Sequence, residues 1–159
     1  MFRSITIDIM VAPQISVDAV AEAKALGVTL IINNRPEGES EDQVPGADIE
    51  AAAHAAGLEY VAIPITHSGF SQPQVEAMVA ALQGADGKVL AYCRSGTRST
   101  LLWALAESAQ GGDPDSLTNM AAKAGYVRVN GAAVKSNYKV RPADVVTLEL
   151  PQPVREFAL

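Results

Sequence analysis

The sequence has few of the residues that build disulfide frameworks and metal centres. Its 159 residues include one cysteine and two histidines. A single cysteine excludes an internal disulfide, so a reducing compartment is the simple expectation. The cysteine and histidines also lack the spacing of metal ligands. We therefore predict no metal site and no cofactor.

Long apolar runs and an excess of basic charge are also missing. No apolar run is long enough to span a membrane, and the first eight residues lack the uninterrupted apolar stretch of a signal peptide. The net charge of −6 argues against non-specific binding of nucleic acid by the chain as a whole. These absences predict a cytoplasmic protein that does not associate with membranes.

Apolar residues make up 48 % of the chain, and their pattern predicts an α/β domain. Apolar runs at 5–11, 28–32, 60–65 and 88–92 alternate with segments of helical periodicity. Such alternation predicts a central, mainly parallel sheet flanked by helices. Ser16, Ser71 and Asp113 precede three of the helical segments and are predicted N-caps.

Three predicted loops leave the carboxyl-terminal edge of this sheet. They contain Arg35, His67 and Cys93. Because ligands of open α/β sheets bind at that edge, we expect these loops to converge. The segment 37–46 is polar and rich in acidic residues, with one proline just before it and one inside it. This composition predicts an exposed and mobile loop.

The only cysteine opens a loop with the composition of an anion site. Cys93 lies between an apolar strand and a helical pattern that begins at Thr100, so the loop precedes a helix N-terminus. Unpaired amides and the helix dipole favour an anion there, and they favour the thiolate form of a cysteine. Gly96 allows the backbone to turn, and Arg98 offers a planar fork of donors for a tetrahedral oxyanion. The expected partner is a small anion such as phosphate, sulfate or a sulfane sulfur donor.

Residues 10–125 resemble the phosphatase-like domain of beta-lactamase hydrolase-like proteins. The resemblance is carried by residues 32–39, 56–64, 92–99 and 121–126. It implies a fold like that of dual-specificity protein tyrosine phosphatases and a cysteine-dependent phosphatase activity. The implied catalytic residues are Cys93 as nucleophile, Arg98 as the oxyanion-binding arginine and Ser99 as the hydroxyl that helps the thiolate leave, and the implied substrate-binding residues are Arg94, Ser95, Gly96 and Thr97, with Arg35 nearby.

Two features depart from the phosphatase pattern. Four residues separate Cys93 from Arg98, where phosphatases of that type have five. Those phosphatases also use an aspartate from a neighbouring loop as general acid. The corresponding segment, 65–71, has no carboxylate, and His67 is its only candidate.

The run from Cys93 to Ser99 also resembles the active loop of single-domain rhodaneses. There the cysteine accepts a sulfane sulfur and passes it to a thiol, which requires a thiolate and a cradle of amides but no general acid. The loop length favours sulfur transfer through a Cys93 persulfide, and the flanking sequence favours the phosphatase. Both hypotheses remain open at this point.

A change of pattern near Gly125 predicts two segments, 1–125 and a β-rich extension, 126–159. The extension carries five basic and three acidic residues, and Asn130-Gly131 between apolar runs predicts a hairpin. It resembles half of the RNA-binding domain shared by a ribosomal small-subunit protein and pseudouridine synthases, over 127–135, 138–146 and 150–153. The two basic helices that precede that half are absent, which argues against RNA binding. Two further hypotheses remain. The extension, called the β-arm below, pairs with a second copy of the chain to form a homodimer, or the protein is not an enzyme and binds an anion or RNA.

Overall fold

A computed structural model describes residues 2–125 and, as backbone only, two short strands at 127–129 and 146–148. The domain is built from five strands and five helices. The strands are β1 (Arg3–Ser4), β2 (Ile9–Ala12), β3 (Val28–Asn33), β4 (Glu59–Ala62) and β5 (Lys88–Tyr92), and the helices are α1 (Val17–Ala25), α2 (Gly46–Ala55), α3 (Gln72–Gly84), α4 (Thr97–Ala109) and α5 (Pro114–Lys123).

The strands form one mixed sheet in the order β1-β2-β5-β3-β4. All pairs in it are parallel except β1 with β2, which is antiparallel. The predicted α/β architecture is therefore confirmed as a mixed sheet with flanking helices. Strand β5 lies in the centre, with Tyr92 opposite Ala12 on one side and Asn33 on the other. The chain that follows β5 consequently emerges between two neighbouring strand ends.

The first predicted strand is wrong in its extent. Residues 5–11 do not form one strand, because the chain turns between β1 and β2. Thr6 Oγ1 accepts a hydrogen bond from the Asp8 amide at 3.1 Å, and the Ile7 side chain is 82 % exposed. A threonine hydroxyl that bonds the backbone two residues on stabilises a turn and competes with strand pairing.

Each face of the sheet carries its own apolar core, because side chains alternate along the strands. From β5, Val89 and Ala91 pack on one face and Leu90 and Tyr92 on the other. The first face is covered by residues of α3, α4 and α5, namely Met78, Leu102, Trp103, Ala106 and Leu117. The second is covered by residues of α1 and α2, namely Val20, Ala23, Ile49 and Ala53. Burial on both faces explains why β2, β3 and β5 are mainly apolar.

The helix boundaries follow local chemistry. Ser16 accepts from the Ala19 amide at 3.2 Å, and Asp113 accepts from the Ser116 amide at 3.0 Å, which confirms both predicted caps. At Ser71 the predicted capping box is present. Helix α4 begins at Thr97, three residues before the predicted pattern. The loop after β5 is therefore short, and Arg98 lies in the first turn of α4.

Most of the predicted C-terminal extension lies outside the described residues. Strands β6 (Val127–Val129) and β7 (Val146–Leu148) are described and pair with each other antiparallel. The hairpin turn at 130–131, the β-arm dimer and the boundary at 125 stay predictions. No helix in the described part of the chain has the length and apolar character needed to cross a membrane.

Candidate active site

Cys93 is the first residue after the central strand and lies inside the protein. It follows β5 directly, its amide donates to the Ala12 carbonyl at 3.4 Å, and it is fully buried. The next turn of the chain is fixed as well, because the Gln14 amide donates to the Arg94 carbonyl at 3.3 Å. The end of β5 and the segment after β2 thus hold the sulfur at the carboxyl edge of the sheet, where ligands of such folds bind.

The segment from Cys93 to Arg98, called the cradle below, turns sharply at Gly96. This glycine has a φ of +94° and forms the N-cap of α4, a backbone conformation that residues with a Cβ rarely adopt. Its amide donates to the Cys93 sulfur at 3.1 Å. The turn therefore places a backbone N–H donor on the sulfur of Cys93.

Arg98 lies in the first turn of α4 and is 1 % exposed. Its guanidinium binds the Glu39 carboxylate through both terminal nitrogens. Nη1 lies 2.6 Å from Glu39 Oε2, and Nη2 lies 2.9 Å from Glu39 Oε1. Nη1 also donates to the Ile65 carbonyl at 2.7 Å. The arginine thereby connects α4 to the loop after β3 and to the loop after β4.

Glu39 also pairs with a second arginine. The Nε of Arg35 donates to Glu39 Oε1 at 3.0 Å, while its Nη1 donates to Gln14 and its Nη2 to Ser40. Burial alone would raise the pKa of Glu39, but the hydrogen bonds and charges of Arg98, and then of Arg35, outweigh it. The pKa of Glu39 is consequently held below its ordinary value, so this carboxyl group is an anion rather than a proton donor near neutral pH.

The Ser99 hydroxyl is engaged by Asn34. Its hydroxyl donates to Asn34 Oδ1 at 2.7 Å, and Asn34 Nδ2 in turn donates to the Ile63 carbonyl at 2.9 Å. A hydroxyl has one proton to donate, so in this arrangement Ser99 does not donate to Cys93. Asn34 is fully buried and ties the first turn of α4 to the ends of β3 and β4.

The structure joins the predicted loops through residues that the sequence patterns did not single out. Arg35 and Cys93 lie on loops that meet at Glu39 and Arg98, as expected. His67 lies two residues after Ile65 and is exposed. Among the described residues the new members of the site are Glu39, Gln14 and Asn34. No local pattern signals Glu39, because residues 36–43 form a turn-rich loop in which a spacing of four residues does not by itself bring two side chains together.

The segment 37–46, predicted as an exposed loop, lies partly over the cradle. Glu39 and Ser40 are half-buried, and the Glu39 amide donates to Gln43 Oε1 at 2.9 Å. Gln43 Nε2 donates to the Pro36 carbonyl at 2.9 Å. The prediction of an exposed loop is therefore wrong for Glu39, because two buried arginines attract its carboxylate inward.

Asn34→Ala should destabilise the domain by roughly 2–4 kcal/mol, because it leaves the buried Ser99 hydroxyl and Ile63 carbonyl without partners. Urea unfolding measures the change. The control Gln83→Ala removes an exposed hydrogen bond to Gln110 and should cost less than about 0.5 kcal/mol. Equal stability of Asn34→Ala and the control would contradict the assigned role of Asn34.

The donors that face the cradle suit an anion. They are the Gly96 amide and the Arg98 guanidinium, with the Arg35 guanidinium on the far side of Glu39, and these groups offer protons and no lone pairs for a cation. Within residues 2–125 no group of three or more metal-ligating side chains occurs. The chemistry that this arrangement supports is nucleophilic attack by sulfur on a group whose oxygens carry negative charge.

Solved structures of phosphatases share this architecture. A Neisseria meningitidis protein assigned to the phosphatases is 31 % identical, with a TM-score of 0.69 over 77 % of this chain and 87 % of that one. A cysteine-to-serine variant of P. aeruginosa TpbA, solved in complex with phosphotyrosine, is 17 % identical, with a TM-score of 0.57 over 75 % of this chain and 70 % of that one. At that identity the likeness shows the fold alone.

A separate match concerns a short stretch. A Bacillus subtilis protein named as an uncharacterised RNA pseudouridine synthase is 58 % identical over 31 residues, which are 20 % of this chain and 10 % of that protein. This short match is a weak indication of the RNA-binding resemblance, which stays a prediction.

The strongest sequence evidence concerns the domain that holds the cradle. The beta-lactamase hydrolase-like protein of Xylella fastidiosa (strain Temecula1) is 42 % identical over 86 residues, which are 54 % of this chain and 20 % of that protein. The chain thus spans about a fifth of the length of the curated relatives it matches. The model of the phosphatase-like domain of beta-lactamase hydrolase-like proteins matches residues 1–110. With both the sequence and the fold in agreement, the chain belongs to that phosphatase-like family.

Proposed function

We propose that this domain hydrolyses phosphate monoesters through a phosphocysteine intermediate on Cys93. The observation that carries the proposal is the cradle itself, where a buried sulfur accepts from the Gly96 amide in a loop that also presents Arg98. A nucleophile and an oxyanion-binding arginine in one loop are what phosphoryl transfer to sulfur requires. The amides of Arg94, Ser95, Gly96 and Thr97 complete the proposed phosphoryl site.

The proposed reaction has two steps. In the first, the Cys93 thiolate attacks phosphorus, a P–S bond forms, and the bond from phosphorus to the leaving oxygen breaks with its electron pair on oxygen. That oxygen then takes a proton. In the second step water attacks the phosphocysteine, the P–S bond breaks, and phosphate, a proton and the Cys93 thiolate are released. Arg98 would stabilise the negative charge of the equatorial oxygens in both steps.

His67 is the proposed proton donor to the leaving oxygen. The ionised state of Glu39 supports this assignment, because the carboxylate on Arg98 has no proton to give. The exposed position of His67, two residues after the Arg98 contact at Ile65, leaves it free to turn toward a bound ester.

His67→Gln should slow the hydrolysis of phenyl phosphate by about a hundredfold, because a poor leaving group depends on the proton. Hydrolysis of nitrophenyl phosphate, which has a good leaving group, should fall by less than about tenfold. The control is His54→Gln on the exposed side of α2, which should leave both rates unchanged. If both substrates slow equally, His67 does not donate the proton.

Sulfur transfer is the second candidate, and the length of the cradle favours it. Only four residues separate Cys93 from Arg98, and persulfide chemistry needs no proton donor. In that reaction the Cys93 thiolate would take a sulfane sulfur from thiosulfate, releasing sulfite, and pass it to a thiol or cyanide. The same thiolate and the same amides would serve both reactions.

A paired assay on one preparation of the full chain tests the proposal. Release of phosphate from nitrophenyl phosphate is measured beside formation of thiocyanate from thiosulfate and cyanide. Phosphate release without thiocyanate is the expected result. Thiocyanate without phosphate would reject the phosphatase and support sulfur transfer. If neither product forms, the cradle is a binding site only.

A further inference from the structure

The end of the sheet opposite the cradle carries a cavity of about 690 Å³. It lies beside the first residues of β2 and β5, where Ile9 and Val89 form part of its floor. Trp103 of α4 and Leu117 and Met120 of α5 add to the apolar lining. The cavity is therefore an apolar feature at the amino-terminal edge of the strands, away from the proposed active site.

Two exposed apolar side chains flank this cavity. Within residues 2–125 three large apolar side chains are exposed, and two of them are Ile7, at 82 %, and Leu26, at 47 %. Thr6 and Asp8, the chain neighbours of Ile7, line the cavity, and so does Gly27, the residue after Leu26. Exposed apolar groups that gather around a cavity mark an interaction surface, whereas scattered single ones do not. The cavity together with Ile7 and Leu26 is termed the amino-edge patch below.

We propose that the amino-edge patch is a self-complementary interface through which two copies of this chain form a two-fold dimer. In this dimer Ile7 of each copy enters the cavity of the other. A two-fold axis makes every contact occur twice, so a face that carries both a projection and a cavity pairs with a second copy of itself. The volume of the cavity accommodates Ile7 with part of the turn that carries it.

The turn that carries Ile7 is held by its own hydrogen bonds. Thr6 Oγ1 accepts from the Asp8 amide at 3.1 Å, and the Ile5 amide donates to the Ile9 carbonyl at 2.9 Å. Ile7 is consequently presented to solvent by a fixed backbone. A projection that is ordered before binding loses less conformational entropy on association, which favours the interface.

Charged groups of both signs surround the cavity. Lys88 lines it, and so do three carboxylates, those of Asp8, Asp86 and Glu107. In the part of the chain that the structure describes, none of these four groups forms an ion pair. Across a two-fold axis the ammonium group of one copy meets the carboxylates of the other, and the contact forms twice. A second copy supplies both signs of charge, which favours it over a partner that carries only one sign.

The test is analytical ultracentrifugation of the full chain and its Ile7→Asp variant, from micromolar to submillimolar protein. The wild type should sediment as a dimer at the upper end of this range, and Ile7→Asp should sediment as a monomer throughout. The substitution places a carboxylate in two apolar cavities at once, so it should weaken the dimer by about a hundredfold or more. Leu26→Asp, on the other side of the patch, is the second variant and should act in the same direction.

Val17→Asp is the matched control. Val17 is 45 % exposed, close to the value for Leu26, but it lies at the opposite end of α1. This variant should dimerise as the wild type does. Trp103 is the only tryptophan in the chain, so its fluorescence reports on the cavity. In the wild type its emission should shift over the same concentrations at which the mass doubles, and in Ile7→Asp it should stay constant.

A wild type that remains monomeric over the whole range would overturn the inference. So would an Ile7→Asp variant that dimerises as well as the wild type, or a Val17→Asp variant that dissociates as readily as Ile7→Asp. A dimer whose assembly leaves the emission of Trp103 unchanged would place the contact elsewhere, for instance at the β-arm, and would also overturn it.

Discussion

Replacing Cys93 by serine should abolish the hydrolysis of nitrophenyl phosphate, with kcat reduced by a factor on the order of 10⁴ or more. Serine is nearly the size of cysteine, so the packing of the buried site should survive. A serine hydroxyl in the same position lacks an adjacent general base and stays protonated. The Gly96 amide, which donates to the sulfur of Cys93, is a hydrogen-bond donor and cannot take the serine proton.

The measurement is steady-state release of nitrophenol at saturating substrate, with urea unfolding to show that the variant is folded. Ser95→Ala is a useful comparison, since it changes a hydroxyl in the same loop. That hydroxyl accepts from the Thr97 amide at 3.3 Å, and its loss should cost less than about tenfold. A Cys93→Ser variant that retains a tenth of the wild-type rate would rule out covalent catalysis by the cysteine.

Arg98→Lys should lower kcat/KM for nitrophenyl phosphate by roughly 10²–10³, the loss expected when one donor of an oxyanion site is removed. Lysine keeps the positive charge but offers one compact ammonium instead of a planar fork. It cannot satisfy both oxygens of Glu39 and the Ile65 carbonyl as the guanidinium does. Both the phosphoryl site and the link between α4 and its neighbouring loops are therefore weakened.

The effect of Arg98→Lys is measured by steady-state kinetics. Lys24→Ala is the control that shows whether a change in a distant positive charge affects the rate. Lys24 is exposed in the last turn of α1, and its loss should leave kcat/KM unchanged. The variant Arg98→Lys should also lose most of its affinity for inorganic phosphate. Full activity in Arg98→Lys would show that positive charge alone, without bidentate geometry, serves the reaction.

The fold was predictable to the extent that it follows from local patterns. The apolar run before Cys93 specifies a strand buried on both faces, and Ser16 and Asp113 specify helix starts through their own side-chain oxygens. The turn at Thr6 was missed, because apolar residues on both sides of it gave the pattern of a continuous strand. The early start of α4 was missed for a related reason. Thr97 and Ser99 are polar, and their burial is decided by contacts far away in the sequence.

The candidate site likewise has a part that the sequence predicts and a part that only the tertiary structure shows. Cys93, Gly96 and Arg98 lie within six residues, so their meeting is a property of the sequence itself. The partner of Arg98 is 59 residues distant and the partner of Ser99 is 65 residues distant. Glu39 was one acid among several in a polar loop, and the local sequence could not distinguish it from exposed neighbours such as Glu41.

The sequence by itself determined the alternation of strands and helices, the nucleophilic loop at the end of a central strand, and the resemblance to the phosphatase-like family. Only the tertiary structure decided which acid lies on Arg98, where the Ser99 hydroxyl donates and which groups fix Arg35. The physical reason is that periodicity and capping depend on neighbours along the chain, whereas ion pairs and buried hydrogen bonds depend on the strand order. The order β2-β5-β3 places the end of β5 between the loops that carry Gln14 and Glu39, and no local pattern contains that order.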